Sequence, residues 1–428
     1  GSEWIKQIKV LEYVNVLIFC VSKKSIQSQR MVQLLLSNDS YSSIMIKDND
    51  EDSSYRKFLS TMILFSLFSI DPVVNSTPIV QEKLLTFYSG TISSNDKLIL
   101  KILETIESHT ATSWTNMIFS WEFIKDEEEE ILEAIGDTRL ITKEREGLIL
   151  TLQKNMIKKS IDRYVLERPL VPELYTDSNT NNYDATTRCD LVKKYYDDTE
   201  RSGVDMYDPL FLLLLIIHNK ELVKMIKDDE GNVTYRYEFE NFLDCKIFQF
   251  IICSLSDCHT VSNISYEHLS NLASSLEKKT AQMNLEKQIT SKDNERKESD
   301  SDLIKYNSIY QVLIKRILYQ RQQNQDPINP LIWFSISRIV DLLGSPIAPL
   351  HEKAYRWVLS NSTIRSWDIP MVSDVMMSYN KRQQDDNKKE IDMEIYYGEL
   401  SWVLTTICKG IKTDEDYKML EKKGVFEW

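Results

Sequence analysis

The residues that could bind a metal ion are few and scattered. The best candidate group is Cys253, Cys258 and His259, with His268 nine residues further on. The sequence has no Cys-x-x-Cys pair, and the spacing of this group matches no known zinc module. Cys253 lies in an apolar, helix-like run, where a free cysteine packs as a small hydrophobic residue. We therefore favour core packing over metal binding and expect neither a metal nor a cofactor.

The signals of a catalytic or nucleotide-binding site are also missing. No two of the 10 glycines lie within ten residues of each other, so a P-loop, a dinucleotide-binding fingerprint and a Gly-x-Ser-x-Gly elbow are excluded. None of the five histidines has a Ser, Cys or Glu at a spacing that indicates activation. A triad assembled across the fold stays open as an alternative. We predict that the chain is not an enzyme.

The densest positive charge lies in residues 152–169. Lys154, Lys158, Lys159 and Arg163 have helix-like spacing, and we expect Lys154, Lys158 and Arg163 to share one helical face that could contact phosphates. The net charge of −13 disfavours a polyanion except at such local patches. The sequence therefore predicts protein binding first, with RNA contact secondary and local.

Two further basic pairs are candidates for RNA or partner contact, Lys381 with Arg382 and Lys422 with Lys423. The acidic run Asp126 to Glu130 could meet a basic partner. It is explained more simply as the solvated first turn of a helix, where acidic side chains complement the helix dipole.

These candidate residues belong to a chain whose composition favours helices. Its 428 residues include only 10 glycines and 10 prolines, about 2% each against typical usage of about 7% and 5%. Apolar residues recur with helical spacing, as at Val10, Val14, Leu17 and Ile18. We find no β signal and expect roughly sixteen helices. Many medium helices with short connections predict an all-α fold, an α-solenoid of stacked hairpins of the HEAT or armadillo kind.

The polar stretch 290–302 has no aliphatic or aromatic residue, so we predict a flexible linker there. It would separate a helical repeat region at 1–289 from a second one at 303–428 that continues the same solenoid.

The longest aliphatic run, Leu210 to Ile217, is too short to span a membrane. The Gly-Ser start suggests a piece cut from a longer protein. Helix-length segments are expected at about 53–70, 77–89, 236–255, 264–283, 329–343, 349–360 and 369–380.

Four blocks in the second half of the chain carry a family resemblance. They are Tyr207-Asp208-Pro209-Leu210-Phe211, Pro346-Ile347-Ala348-Pro349-Leu350, Asp368-Ile369-Pro370-Met371 and Gly410-Ile411-Lys412-Thr413-Asp414-Glu415-Asp416-Tyr417. In this order, over about residues 207–428, the sequence resembles the C-terminal region of the nucleolar pre-ribosomal-associated protein family. None of the blocks is catalytic, and each alone has a structural explanation in helix capping.

The resemblance implies a long helical-repeat protein of the nucleolus that acts early in assembly of the large ribosomal subunit. The implied role is a non-catalytic scaffold that gathers assembly factors. Its implied partners are a second large helical-repeat protein, a DEAD-box RNA helicase, an RRM protein, small nucleolar ribonucleoproteins and pre-ribosomal RNA, with no membrane. The alternative is an unrelated α-solenoid adaptor, such as a transport receptor or a signalling scaffold.

Overall fold

The computed structural model is mostly helical, which confirms the all-α prediction in its coarse form. The described residues also form two small β-sheets, whereas the sequence predicts no strands. The stacking of helical hairpins into a solenoid stays a prediction. The structure describes residues 2–20, 27–46, 51–124, 140–144, 147–163, 206–227, 233–289, 296–323, 330–348 and 350–360, with the single residues Ile364, Ile369 and Lys418.

The chain divides into two compact units. One comprises residues 1–159 with 169–220, and the other comprises residues 160–168 with 221–428. The linker predicted at 290–302 stays a prediction as a domain boundary. Residues 290–295 of that stretch lie outside the described residues. Residues 296–302 are helical, because they form the start of a long helix at Arg296.

The first unit combines helices with a three-stranded sheet. Its elements are α1 (Ser2–Cys20), α2 (Ser28–Ser37), α3 (Asp39–Ile46), α4 (Glu51–Ile70), α5 (Pro72–Asn75), α6 (Pro78–Phe87), α7 (Ser94–Thr110), a 3-10 turn (Trp114–Met117), β1 (Ile118–Phe123), β2 (Leu140–Glu144), β3 (Gly147–Leu152), α8 (Lys154–Arg163), whose last residues belong by number to the second unit, α9 (Pro209–Leu215) and a 3-10 turn (Ile216–His218).

Helix α4 forms the centre of the helical part of this unit. It packs against α1, α2, α3 and α7, and its side chains Phe58 and Leu67 are fully buried. A helix that is apolar on nearly every side is stable only when neighbours cover it on several sides. The Ser93 hydroxyl caps helix α7 by accepting a hydrogen bond from the Asp96 N–H at 3.3 Å.

The three-stranded sheet has the order β1-β3-β2, with β1 parallel and β2 antiparallel to the central strand β3. Leu148, Leu150 and Leu152 of β3 are buried and alternate with less buried residues. The Trp121 indole N–H of β1 donates to the Leu215 carbonyl oxygen at 2.6 Å. The prediction of no strands was wrong here, because scarce glycine and proline limit the number of tight turns without forbidding a few short strands.

The second unit begins with a hairpin and continues as helices. Its elements are β4 (Val223–Lys227), β5 (Val233–Tyr237), α10 (Phe239–Asp244), α11 (Ile247–Ser254), α12 (His259–Ile289), α13 (Arg296–Gln323), α14 (Pro330–Gly344) and α15 (His351–Ser360). Every residue of α11 is buried, and α11 packs against α12 and α14.

The prediction of one continuous helix at about 236–255 was wrong. Tyr237 ends strand β5, and α10 and α11 are separate helices divided at Lys246, which has a left-handed backbone (φ 63°). The helices predicted at about 53–70, 77–89, 264–283, 329–343 and 349–360 are confirmed within a few residues by α4, α6, α12, α14 and α15. The helix predicted at about 369–380 lies outside the described residues except for Ile369, which is buried.

Candidate RNA and partner contact surface

Helix α8 carries the basic segment singled out by the sequence, and its lysines point to solvent. Lys154, Lys158 and Lys159 are exposed, whereas Met156 and Ile157 on the other side are buried. The helix is therefore fixed by an apolar stripe and presents a row of ammonium groups outward. We call Lys154, Lys158 and Lys159 the basic face.

The structure describes the side chains of none of the other predicted contact residues. Arg163 is the last residue of α8, nine positions after Lys154, which is about half a turn out of register on an α-helix. Lys154 and Arg163 therefore lie on different sides of α8, so the expectation that they share one face was wrong. Arg163 follows Lys159 by four positions, which is the spacing of neighbours on one side of a helix. Lys381, Arg382, Lys422 and Lys423 lie outside the described residues.

An aromatic ring at the end of β1 positions the first lysine of the basic face. The Lys154 ammonium nitrogen lies 5.6 Å from the centre of the Phe123 ring. At an exposed site such a cation–π contact contributes about 0.5–1 kcal/mol. This contact limits the motion of the Lys154 side chain while its charge stays accessible to solvent.

The residue before α8 connects the basic face to the first family block. The backbone N–H of Gln153 donates to the Tyr207 hydroxyl oxygen at 2.9 Å, and both groups are buried. Because Gln153 directly precedes Lys154, this bond fixes the point where strand β3 ends and α8 begins. Tyr207, which lies 54 positions from Gln153 in sequence, therefore helps to fix the start of the helix that carries the basic face.

Asp208, the next residue of that block, has two structural roles. Its carboxylate accepts a hydrogen bond from the Leu210 N–H at 2.8 Å, which caps helix α9 ahead of Pro209. It also forms an ion pair with the Lys97 ammonium group of α7, and its side chain is only 3% exposed. The early helical proline was expected from the sequence, but the pairing across 111 positions was not.

A buried carboxylate beside this ion pair orders the turn that leads into α7. Asp96 is 1% exposed and accepts hydrogen bonds from the Ser89 N–H at 3.1 Å, the Thr91 N–H at 2.8 Å and the Thr91 hydroxyl at 2.6 Å. Such multiple charge-assisted bonds offset the cost of burying a carboxylate. We call Asp96, Lys97 and Asp208 the polar clasp. The sequence pattern gave no sign of it beyond the capping residues before α7.

Gly90 and Phe211 close the polar clasp on its apolar side. Gly90 has a positive φ of 70°, and its carbonyl oxygen accepts a hydrogen bond from the Asp208 N–H at 2.7 Å. A Cβ atom at this position would overlap the Phe211 ring. That ring stacks on Trp114 with 6.1 Å between centroids and meets Tyr88 edge-on at 5.3 Å. The block at 207–211 therefore holds its own unit together.

The second family block forms a connection between helices. The connection from α14 to α15 contains backbone hydrogen bonds from the Ala348 N–H to the Ser345 carbonyl at 2.9 Å and from the His351 N–H to the Ala348 carbonyl at 2.9 Å. Ile347 is 95% exposed at this turn. The block at 410–417 lies outside the described residues.

Burial shifts the pKa values of His218 and Tyr237 in opposite directions. Burial lowers the pKa of His218, and this effect outweighs a backbone hydrogen bond at Ile118 that acts to raise it. Burial raises the pKa of Tyr237, whose hydroxyl lies 3.1 Å from the His268 Nδ1 atom and accepts a hydrogen bond from the Asn271 amide at 3.3 Å. Tyr237, His268 and Asn271 interact with one another inside the second unit, whereas His218 belongs to the first unit.

The candidate metal group does not come together as a cluster. Cys253 is fully buried in α11, whereas Cys258 is exposed and His259 is hydrogen-bonded to Asn263. No set of three metal-ligating side chains occurs within the described ranges. Across those same ranges, no helix is long and apolar enough to cross a membrane.

Comparison with known proteins identifies the family. The family model described as nucleolar pre-ribosomal-associated protein 1 matches residues 248–428. All 428 residues align at 99% identity with nucleolar pre-ribosomal-associated protein 1 of Saccharomyces cerevisiae, and the chain spans 24% of that relative's length. No solved structure matches the chain. The nucleolar location expected from the sequence is confirmed by this match. The resemblance seen in the blocks at 207–428 is thereby confirmed, and the chain belongs to the nucleolar pre-ribosomal-associated protein family.

Proposed function

We propose that this chain is part of a non-catalytic scaffold for early nucleolar assembly of the large ribosomal subunit. The scaffold gathers a second large helical-repeat protein, a DEAD-box helicase and an RRM protein on pre-ribosomal RNA and small nucleolar ribonucleoproteins. Holding several partners on one protein raises their effective concentration for one another. The 99% identical relative is about four times as long as this chain, so residues elsewhere in such a protein would share in this activity.

We further propose that the basic face is where this chain contacts RNA. The observation that carries this proposal is the exposure of Lys154, Lys158 and Lys159 along one side of a helix whose opposite side is buried. Phosphate contacts from lysines provide affinity without reading sequence. A local contact of this kind suits a chain whose net charge is −13.

Charge reversal at the basic face tests the RNA proposal. The variant Lys154→Glu with Lys158→Glu and Lys159→Glu should abolish retention of structured ribosomal RNA by the purified chain. Replacing the same lysines with alanine should reduce the magnitude of the salt dependence of binding, d log K/d log[salt], by about 2–3, because each of the three phosphate contacts releases about 0.7–0.9 counterion. Equal binding by the wild type and the glutamate variant would overturn the proposal.

A matched control separates a local effect from an effect of net charge. Lys9, Lys101 and Lys278 are exposed at unrelated positions on α1, α7 and α12. Changing these three lysines to glutamate alters the net charge by the same amount and should leave most of the RNA binding intact. Comparable losses in the two triple variants would show that only overall charge matters, and the basic face would then not be a site.

The scaffold proposal is tested separately from the RNA proposal. Affinity capture of the intact protein from nucleolar extract should recover large-subunit assembly factors together with pre-ribosomal RNA. The glutamate variant of the basic face should still recover the protein partners, because protein binding is expected to be the main activity. Recovery of nuclear transport or signalling proteins instead would support the alternative adaptor function.

A further inference from the structure

Helix α1 carries apolar side chains on two opposite sides, and one of these sides is exposed. Val10, Tyr13 and Leu17 are 59%, 63% and 39% exposed. Their spacing of three and four residues places them on consecutive turns of one helix side. Cys20, three residues further along the same side, is also exposed. We call Val10, Tyr13 and Leu17 the outward stripe.

The other side of α1 already has its partner. It packs against α4, where the Asn15 side-chain amide donates to the Leu59 carbonyl oxygen at 3.1 Å and Ile18 is 9% exposed. At the edge of that contact the Tyr55 hydroxyl donates to the Glu12 carboxylate at 3.0 Å. The orientation of α1 is therefore fixed, and the outward stripe cannot turn inward to join the core.

A surface helix ordinarily has a polar outer side, since only the inner side must be buried. Single exposed apolar residues are common, but a contiguous row of large ones marks an interaction surface. A helix with two apolar sides is typical of a helix held between two layers, as in stacked helical repeats, where each repeat buries a face of its neighbour. Helix α4 of the same unit shows the completed form, because it is covered on several sides.

We propose that the outward stripe packs against a helix from the part of the longer protein that lies outside these 428 residues. About three quarters of the length of the 99% identical relative lies outside them, so a large amount of chain joined to this unit is available to cover the stripe. An intramolecular partner has a high effective concentration, so a short apolar row is sufficient to hold it. The inference does not depend on the scaffold or RNA proposals.

The exposed thiol of Cys20 allows a direct test by maleimide labelling under native conditions, read out peptide by peptide by mass spectrometry. Each rate is divided by that of the same peptide in urea. In the isolated 428-residue chain, Cys20 should react rapidly, as should Cys258, which is exposed in the second unit. In the full-length protein, Cys20 should react at least about tenfold more slowly, because the covering helix must first open. Equal Cys20 rates in the two proteins would overturn the proposal.

Substitutions in the full-length protein link the protection to the outward stripe. Leu17→Asp should restore fast labelling of Cys20, because a buried carboxylate expels the covering helix. Leu285→Asp, at a residue of α12 that is 61% exposed, is the matched control and should leave Cys20 protected. Continued protection in Leu17→Asp would contradict the proposal. Protection of Cys20 that appears in the isolated chain as its concentration rises would assign the stripe to a second copy, which also overturns it.

Discussion

The polar clasp and the basic face use charged side chains in opposite ways. In the clasp, the Asp208 side chain is 3% exposed and the Lys97 side chain is 15% exposed, and they pair with each other. On the basic face, Lys158 and Lys159 are exposed on a helix anchored by Met156 and Ile157. A buried charge becomes part of the fold, because removing its partner leaves it uncompensated. An exposed charge contributes little to folding, so it can be changed with little effect on stability.

The comparison also separates the family motif from the proposed function. The block at 207–211 was recognised from sequence, and the structure places it in the clasp and its apolar wall, where it stabilises the first unit. The basic face has no motif of its own. Tyr207 connects the two regions through its hydrogen bond to Gln153. Substitutions should therefore have their largest stability effects in the clasp, intermediate effects at the connection and small effects on the basic face.

The largest effect is expected for Asp208→Ala. This change leaves Lys97 without its buried partner and removes the cap of α9, so we expect a loss of about 3–5 kcal/mol in the unfolding free energy of the first unit. Native-state hydrogen exchange in α7 and α9 measures that loss. The control is Glu104→Ala in the exposed pair of Lys101 and Glu104, which should cost under about 1 kcal/mol. Similar losses in both variants would remove the distinction between buried and exposed charge.

Gly90→Ala should have the next largest effect, a loss of about 2–3 kcal/mol. Alanine at this position would have to adopt the left-handed backbone of Gly90, which is unfavourable for a non-glycine residue. Its methyl group would also overlap the Phe211 ring. Urea denaturation followed by circular dichroism measures the change. The double variant Gly90→Ala with Phe211→Leu tests the cause, because the smaller side chain should make the added methyl group less costly. Purely additive losses would show that the ring is not what excludes alanine.

Tyr207→Phe should cost about 1–2 kcal/mol, because the buried N–H of Gln153 loses its acceptor. Since that N–H lies at the start of α8, exchange of the amides of the basic face should accelerate more than exchange in α4. Hydrogen exchange with residue resolution across α8 makes this comparison. Equal acceleration in both helices would mean that Tyr207 supports the unit generally and does not position the basic face.

A smaller effect should appear as a pH dependence of the first unit. The pKa of His218 is lower in the folded state than its ordinary value because the imidazole is buried. The unfolded chain therefore binds more protons in the window below pH 6.5, and stability falls as the pH is lowered through that value. In His218→Gln the slope of unfolding free energy against pH between 7 and 5.5 should be shallower. An unchanged slope would show that His218 does not carry this dependence.

Sequence reasoning predicted the local features of this molecule better than the long-range ones. The helix cap in the block at 207–211 and the helical spacing of Lys154 and Lys158 depend on neighbours within one or two turns, and the structure agrees with both. The pairing of Lys97 with Asp208 and that of β1 with β3 join positions far apart in sequence, so no local pattern specifies them. The polar clasp was missed for this reason.

RNA contact by the basic face is tested most directly in the assembled particle. Ultraviolet crosslinking of the intact protein in nucleolar pre-ribosomes, with the crosslinked peptides mapped by mass spectrometry, measures this directly. We predict that, within these 428 residues, the main crosslinked peptides contain Lys154, Lys158 or Lys159. Crosslinks confined to other peptides of this chain, with none in α8, would contradict the assignment of the basic face as its RNA contact.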